Sequence, residues 1–473
     1  MKNKFKVLLI NPNYRTKLGG DDAISSILPP LGISYIASIL RDNDFEPIII
    51  DMNAENLTND QVLKMIKSYD PKLIGITVTT PTIKVVTELI SEIKSLGSSI
   101  PLIVGGPHPT SLSSDLIDNS GVDFIAIGEG EMTILELCNV LDKGGKICEI
   151  DGLIWKNKGK PIFNKPRELL KDIDTLPFPA IDLLPLNKYR SAYSKNEKFA
   201  NILTSRGCPG MCIYCNKQIF GFNVRMRTAQ NIFKEIKMLN TKYGYKEFHI
   251  IDDLFTQDRQ RVIDVCNMII DDELDIDWKL GNGVRVGTID YDLLKIMKKA
   301  GLYSISFGIE SGNQTILNKM KKGQTLQMCK DAVAAARKLN LFIVGFFMLG
   351  SIGENESTMR ETIDFAKSLS LDVAQFSILV PFPGTEVKRI IEREGKILES
   401  DYSKYDNIDG KMIFEHGELN KELVERMHKQ AYKEFYMRPS FMIKRLFRTR
   451  SWLELKNQLK GFTAILNLGG KKE

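Results

Sequence analysis

The chain reads as an α/β protein: a doubly wound parallel sheet, then a partial (βα)6 barrel, then a helical C-terminal region. Three observations predict this. Short apolar runs alternate with helix-like segments through the first third, at the interval expected of a parallel sheet. After a proline-punctuated stretch the alternation resumes for six further units. Past residue 400 it stops, and basic amphipathic segments follow.

Composition bounds the function classes. With 473 residues, 43 % hydrophobic and 26 % charged, the chain is long for one core and otherwise an ordinary globular protein. A net charge of +6 is mild for this length, so nucleic acid is not an expected partner. Seven unevenly spaced cysteines do not read as a disulfide framework. Met1-Lys-Asn-Lys-Phe-Lys runs into a strand without a signal-peptide core. No stretch approaches the ~18–20 apolar residues of a membrane span. The expected location is the reducing cytoplasm.

Residues 1–150 form the first expected domain. Phe5–Ile10, Pro47–Asp51, Leu73–Val78, Pro101–Gly106 and Val122–Ile127 are its five strands, and Pro30–Leu40 is a helix. Ligands of such sheets lie beyond the carboxyl ends of the strands. Three loops there carry suitable chemistry: the hydroxyls of Thr77-Val-Thr-Thr-Pro81, the bare backbone of Gly105-Gly106, and the amides and carboxylates of Gly128-Glu-Gly-Glu131. Together they predict a ligand at this edge.

Residues 151–195 are expected to be a connector, a hairpin around Lys156–Lys160 followed by a linker through Leu176-Pro-Phe-Pro-Ala180 and Leu184-Pro185. Residues 196–400 carry six strands: Ala200–Thr204, Glu247–Ile251, Trp278–Val284, Tyr303–Ile309, Phe342–Leu349 and Val373–Val380. Helical segments at Thr228–Tyr243, Asp258–Asp271, Thr325–Leu339 and Glu354–Leu369 lie between them. Six βα units make a partial barrel, with chemistry at the strand C-termini. Asp252-Asp253, Asn282, Arg285, Glu310-Ser-Gly312, Gly350–Gly353 and Pro381–Thr385 stand there, although an acidic residue at such an end is commonly only a helix N-cap.

The most informative stretch follows the first barrel strand. Ser205-Arg-Gly-Cys-Pro-Gly-Met-Cys-Ile-Tyr-Cys215 places Cys208, Cys212 and Cys215 in C-x3-C-x2-C spacing. Gly207, Pro209 and Gly210 let the backbone turn tightly, so three thiolates can bind three irons of a four-iron cluster and leave one iron open. A zinc site would want a fourth ligand, and none of the four histidines is near in sequence. Inert buried thiols would favour an apolar run; Cys266 and Cys329, within helical patterns, fit that description.

This domain resembles the radical SAM superfamily in Cys208, Cys212 and Cys215, in Tyr214 before the last cysteine, and in Gly308-Ile-Glu-Ser-Gly312. The resemblance implies a 4Fe-4S cluster whose open iron is chelated by S-adenosylmethionine (SAM). It also implies SAM contacts from Tyr214, Glu310, Ser311, Phe346 and Gly350. The family's Gly-Gly-Glu motif is absent; Ile251-Asp252-Asp253 stands in that region. The first domain resembles the cobalamin-binding domain of cobalamin-dependent radical SAM enzymes, through Val7–Asn13, Pro29-Pro-Leu-Gly32, Gly105–Pro109 and Gly128–Glu131. That implies cobalamin contacts from Asn11, Thr77, Thr79, Gly105, Gly106, Gly128 and Glu129. Asn11-Pro12-Asn13 replaces the signature that supplies an axial histidine, so histidine ligation is not expected, and His108 reads as a surface or supporting residue.

The expected function is a cobalamin-dependent radical SAM methyltransferase acting at an unactivated carbon. The alternatives are a cyclase or oxidase on the same scaffold, acting on a lipid or tetrapyrrole-like substrate, and a cofactor-binding sensor. No single residue stands out as catalytic. Partners would be a small-molecule or lipid substrate and an external electron donor such as flavodoxin or ferredoxin. Glu418–Met437 is a helix, and the basic, aromatic stretch Ser440–Leu468 is either a helical cap or a peripheral membrane contact.

Overall fold

Val7, Leu8, Leu9 and Ile10 are at most 1 % exposed, a strand covered on both faces as the centre of a doubly wound sheet must be. The computed structural model describes residues 4–14, 26–97, 99–118, 121–191, 194–407, 410–439 and 441–442. Its first sheet contains β1 (Lys6–Asn11), β2 (Glu46–Asp51), β3 (Leu73–Thr77), β4 (Leu102–Gly105), β5 (Phe124–Ala126), β6 (Leu153–Asn157) and β7 (Lys160–Phe163). Their order is β2-β1-β3-β4-β5-β6-β7. Strands β1 to β5 pair in parallel, and the order reverses between β1 and β3, the switch point at which ligands of open α/β sheets bind.

The hairpin corrects an expectation. Expected as a connector, it extends the first sheet: β5 pairs antiparallel with β6, Ile125 opposite Ile154, and β6 with β7. Leu153 and Ile154 are buried by that pairing. Their partner lies some thirty positions upstream, so local periodicity alone reads only a free hairpin.

The second sheet holds β8 (Phe199–Ile202), β11 (Glu247–Ile250), β12 (Asp277–Val284), β13 (Leu302–Glu310), β14 (Phe342–Leu349) and β15 (Val373–Ile378), in sequential order and all parallel. Between β8 and β11 a short antiparallel ribbon, β9 (Ser205–Arg206) with β10 (Arg225–Met226), brackets the cysteine loop. Thr228, Asp258, Thr325 and Asn355 all cap helices on the barrel exterior, each accepting from a backbone N–H three residues on.

The edge strand β15 is covered by the helix Lys421–Tyr436. The Phe376 N–H donates to the Tyr432 hydroxyl (3.2 Å) and the Ala374 N–H to the Tyr436 hydroxyl (3.2 Å). Those hydroxyls donate in turn to the Phe376 and Ala374 carbonyls, at 3.1 and 2.9 Å. His428 Nε2 lies 2.9 Å from the Phe376 carbonyl. Side chains thereby satisfy backbone groups that a further strand would otherwise pair. The basic stretch beyond Met442 lies outside the described residues. Among the described residues no helix is long and apolar enough to cross a membrane.

Replacing Tyr432 and Tyr436 together by Phe leaves edge groups of β15 unpaired. The double variant is expected to lose about 2 kcal/mol, read as a lower urea midpoint with an unchanged slope.

Candidate active site

The chain leaves β8 through Thr204 and Ser205, where the buried Asp252 carboxylate accepts from the Thr204 N–H (2.5 Å), the Thr204 hydroxyl and the Ser205 hydroxyl (2.6 Å). Gly207 then turns with φ +94°, and a Cβ there would stand 2.4 Å from the Asn223 carbonyl. Only glycine fits this turn. At Gly210 a Cβ would lie 3.4 Å from Cys208 Sγ, 3.8 Å from Cys212 Sγ and 3.1 Å from Arg285 Nη1. The missing side chain gives the two sulfurs room on one side of the loop.

Lys217 Nζ donates to the Cys208 carbonyl (3.1 Å), and the Cys215 N–H to the Cys212 carbonyl (3.1 Å). Cys208 and Cys212 are half-buried and Cys215 is exposed, whereas Cys138, Cys266 and Cys329 are buried in their helices. Among the described residues no three His, Cys, Asp or Glu side chains close on one ion. Thiols spread along one loop suit a multi-iron cluster, in which each sulfur takes a separate iron.

Tyr214, Lys322 and Glu310 meet beside this loop. Lys322 Nζ donates to Glu310 Oε1 (2.6 Å) and to the Tyr214 hydroxyl (3.2 Å), while Arg285 Nη2 holds the Lys322 carbonyl (3.0 Å). Glu310 sits at the end of β13 with φ +68°, a left-handed conformation that turns its carboxylate toward Lys322. Phe346 is half-buried on β14 and borders Gly283 across the sheet; Gly350 begins the following loop against Val424. Ser311 behaves otherwise. It is fully buried, its hydroxyl 3.1 Å from the Thr362 hydroxyl and accepting from the Asn313 N–H, so its side chain packs against the helix Glu356–Ser368.

The strand ends of the first sheet face this loop. Thr79, Thr80, Pro81, Pro107 and Ser111 line one wall of a cleft of about 250 Å³; Tyr214, Asn216, Phe382, Pro383 and Thr385 line the other. Asn216, next to Cys215, donates from Nδ2 to the Ser111 hydroxyl (2.5 Å) and the Pro383 carbonyl (2.9 Å). Gly105 and Gly106 stand behind this wall, Gly106 packed on Thr77 and Val78, and the Gly128 N–H donates to Thr110 (3.1 Å). Asn11 donates to Asp51 (2.8 Å) at the end of β1.

Two expectations about this face change. Glu129 is buried and its carboxylate accepts from Arg206 (2.7 Å), Arg225 (2.8 Å) and the Leu170 N–H (2.9 Å). Burial alone would raise its pKa, but the bonds from Arg225 and Arg206 hold it below the usual carboxylate range. Its side chain belongs to the domain junction, not to the cleft. His108 is fully buried, not at the surface: Nδ1 is 3.3 Å from the Thr80 hydroxyl, the ring meets Tyr402 edge-on, and Nε2 has no protein partner.

Arg206, Arg225, Asn216, Ser111 and Lys322 were not singled out in the sequence. The only signal for Arg206 and Asn216 was their position flanking the cysteines.

The comparisons with known proteins show the family. Residues 22–138 match the model of the B12 binding domain and residues 202–366 that of the Radical SAM superfamily. A protein of Pyrococcus horikoshii named uncharacterized methyltransferase PH0819 is 34 % identical over 97 % of this chain and 98 % of its own. The anaerobic magnesium-protoporphyrin IX monomethyl ester cyclase of Rubrivivax gelatinosus is 26 % identical over 92 % of this chain and 78 % of its own. The solved structure of the radical S-adenosylmethionine methyltransferase TsrM from Kitasatospora setae, with cobalamin and a [4Fe-4S] cluster bound, superposes with a TM-score of 0.72 at 17 % identity, covering 93 % of this chain and 90 % of that one. The chain is a radical SAM protein. It belongs to the branch whose barrel follows a B12-binding domain.

Burial lowers the His108 pKa to about 4, from an ordinary 6.5. Between those values the unfolded chain takes up a proton that the native state refuses, so stability falls as pH drops and levels off below about 4. Urea titrations of wild type and His108→Met at pH 7 and pH 5 test this. The variant should lose about 2 kcal/mol less than wild type over that interval.

Proposed function

We propose that the protein is a cobalamin-dependent radical SAM methyltransferase acting on a small-molecule substrate. The observation that carries the reading is the cleft itself, where Tyr214 and Asn216 of the cysteine loop face Thr79, Thr80 and Pro107 of the first sheet. The chain brings the carboxyl ends of two parallel sheets together, and the expected sites of two cofactors meet at that seam.

In this reading Cys208, Cys212 and Cys215 hold a 4Fe-4S cluster, and Gly207 and Gly210 make the space for it. Glu310, Tyr214, Phe346 and the Gly350 loop form the SAM side of the mouth. Lys322, tied to Glu310 and Tyr214, keeps both at fixed angles. Thr77, Thr79, Gly105, Gly106 and Gly128 flank the cobalamin tail, and Asn11 closes the β1 end of that groove through Asp51. When bound, these groups supply a carbon-centred radical and a transferable methyl carbon. The protein's own task is to hold them apart from water and within reach of one substrate atom. Cys215 is exposed, which suits entry of electrons from a one-electron donor protein.

The test is anaerobic reconstitution with iron, sulfide and hydroxocobalamin. About one equivalent of cobalamin should remain after desalting, and the methyl of deuterated-methyl SAM should appear in product. Retention of no cobalamin would end the reading; a cyclised or oxidised product without label would favour the cyclase alternative. Cys208→Ala, Cys212→Ala and Cys215→Ala should each abolish 5′-deoxyadenosine formation while cobalamin stays bound, as followed by chromatography and absorbance.

A further inference from the structure

Four charged side chains are buried where the first sheet meets the barrel. Glu129 lies in the loop after β5 and Glu131 opens the helix Glu131–Lys143 that follows it; Arg206 is on β9 and Arg225 on β10, on either side of the cysteine loop. Arg206 donates from Nη1 to Glu129 Oε1 (2.7 Å) and from Nη2 to Glu131 Oε1 (2.5 Å). Arg225 Nη1 donates to both oxygens of Glu129, at 2.9 and 2.8 Å, and to the Leu170 carbonyl (2.8 Å). All four side chains are at most 9 % exposed. The Arg206 guanidinium also lies between the rings of Tyr35 and Phe220, 5.5 and 5.3 Å from their centroids.

A set of this kind is a poor way to gain stability, because desolvating the charges offsets most of their attraction; apolar side chains of the same volume would hold the junction about as well. What the charges add is direction. Apolar contact tolerates sliding, whereas charge-assisted hydrogen bonds from a planar guanidinium fix both distance and angle. The four residues link the loop beside the expected cobalamin face to the two strands that bracket the expected cluster ligands. On the far side of the cysteine loop, the Asn216–Ser111 bond makes a second attachment. The loop is therefore held to the first sheet at both of its ends.

We propose that Glu129, Glu131, Arg206 and Arg225 are positioning residues that set the separation and angle between the two cofactor-bearing faces; this rests on the function proposed above. None of the four needs to touch a cofactor or substrate. Their role is to keep a reacting carbon from drifting, since a misplacement of about 1 Å can cost on the order of 10²-fold in rate.

The test uses Glu129→Gln, Arg225→Gln and the double variant in the full-length protein. The double variant removes one negative and one positive charge and leaves two amides able to bond each other, so it guards against a single variant that fails to fold. The first measurement needs no cofactor: hydrogen exchange over residues 205–226 and limited proteolysis of residues 164–198. The variants should exchange and be cut at least about tenfold faster there, with the rest of the chain unchanged. The second uses reconstituted protein with SAM, hydroxocobalamin and titanium(III) citrate. S-adenosylhomocysteine released per 5′-deoxyadenosine formed should fall about tenfold, and the magnetic interaction between cob(II)alamin and the reduced cluster should weaken. Unchanged exchange and proteolysis in folded variants would overturn the proposal, as would an unchanged ratio. Loss of cobalamin in Glu129→Gln but not in Arg225→Gln would also overturn it, by making Glu129 a cofactor contact. A wild-type protein that retains no cobalamin would remove the functional reading, and the cofactor-free measurement would still judge the junction.

Discussion

The direction in which the chain leaves β8 is set by one buried carboxylate. Asp252 receives a backbone amide and two hydroxyls from Thr204 and Ser205, with Arg261 Nη2 at 4.0 Å. Burial raises its pKa, against the pull of those hydrogen bonds and Arg261, so the group sits where both water and slack are excluded. Everything downstream inherits this aim. The β9–β10 ribbon, the turn at Gly207, the sulfurs around Gly210 and the arginines that reach the first sheet all follow within about twenty residues.

The fold was legible because its periodicity is strong. All six barrel strands occur within a residue or two of their expected limits, and residues at the expected helix starts are caps that the side chains display openly. The hairpin was misplaced because its role depends on pairing with β5, a contact that local pattern does not encode. Within the site, the cysteines were legible from spacing, since no other part of the chain crowds thiols into a glycine-rich turn. Glu129 and Ser311 were not, and for the same reason. Each sits at a strand end in a segment like those that contact cofactors, and only the opposing element decides where its side chain goes. Arg206 and Arg225 decide it for Glu129, Thr362 for Ser311. For His108 the loop position left a surface and a supporting role open; its burial, against Tyr402 almost three hundred residues away, leaves the supporting one.

The two halves of the site differ in how they are held. On the barrel side, Tyr214, Lys322, Glu310 and Arg285 hold one another through hydrogen bonds at the ends of the first, third and fourth barrel units. On the sheet side, the wall is mostly hydroxyl and proline, with few charges directed at the cleft. A rigid charged half against an adaptable neutral one is what a site needs if one ligand is fixed by ionic groups and another is large and mostly uncharged.

The tyrosine-covered edge of β15 has a consequence for biosynthesis. The backbone groups of Ala374 and Phe376 acquire these partners only once the helix ending at Tyr436 exists. A nascent chain lacking that helix carries an unfinished barrel with an open strand edge, a surface on which a second copy can add. Truncation before this helix would therefore act on assembly of the whole barrel, even though the deleted residues lie far from the cysteines in sequence.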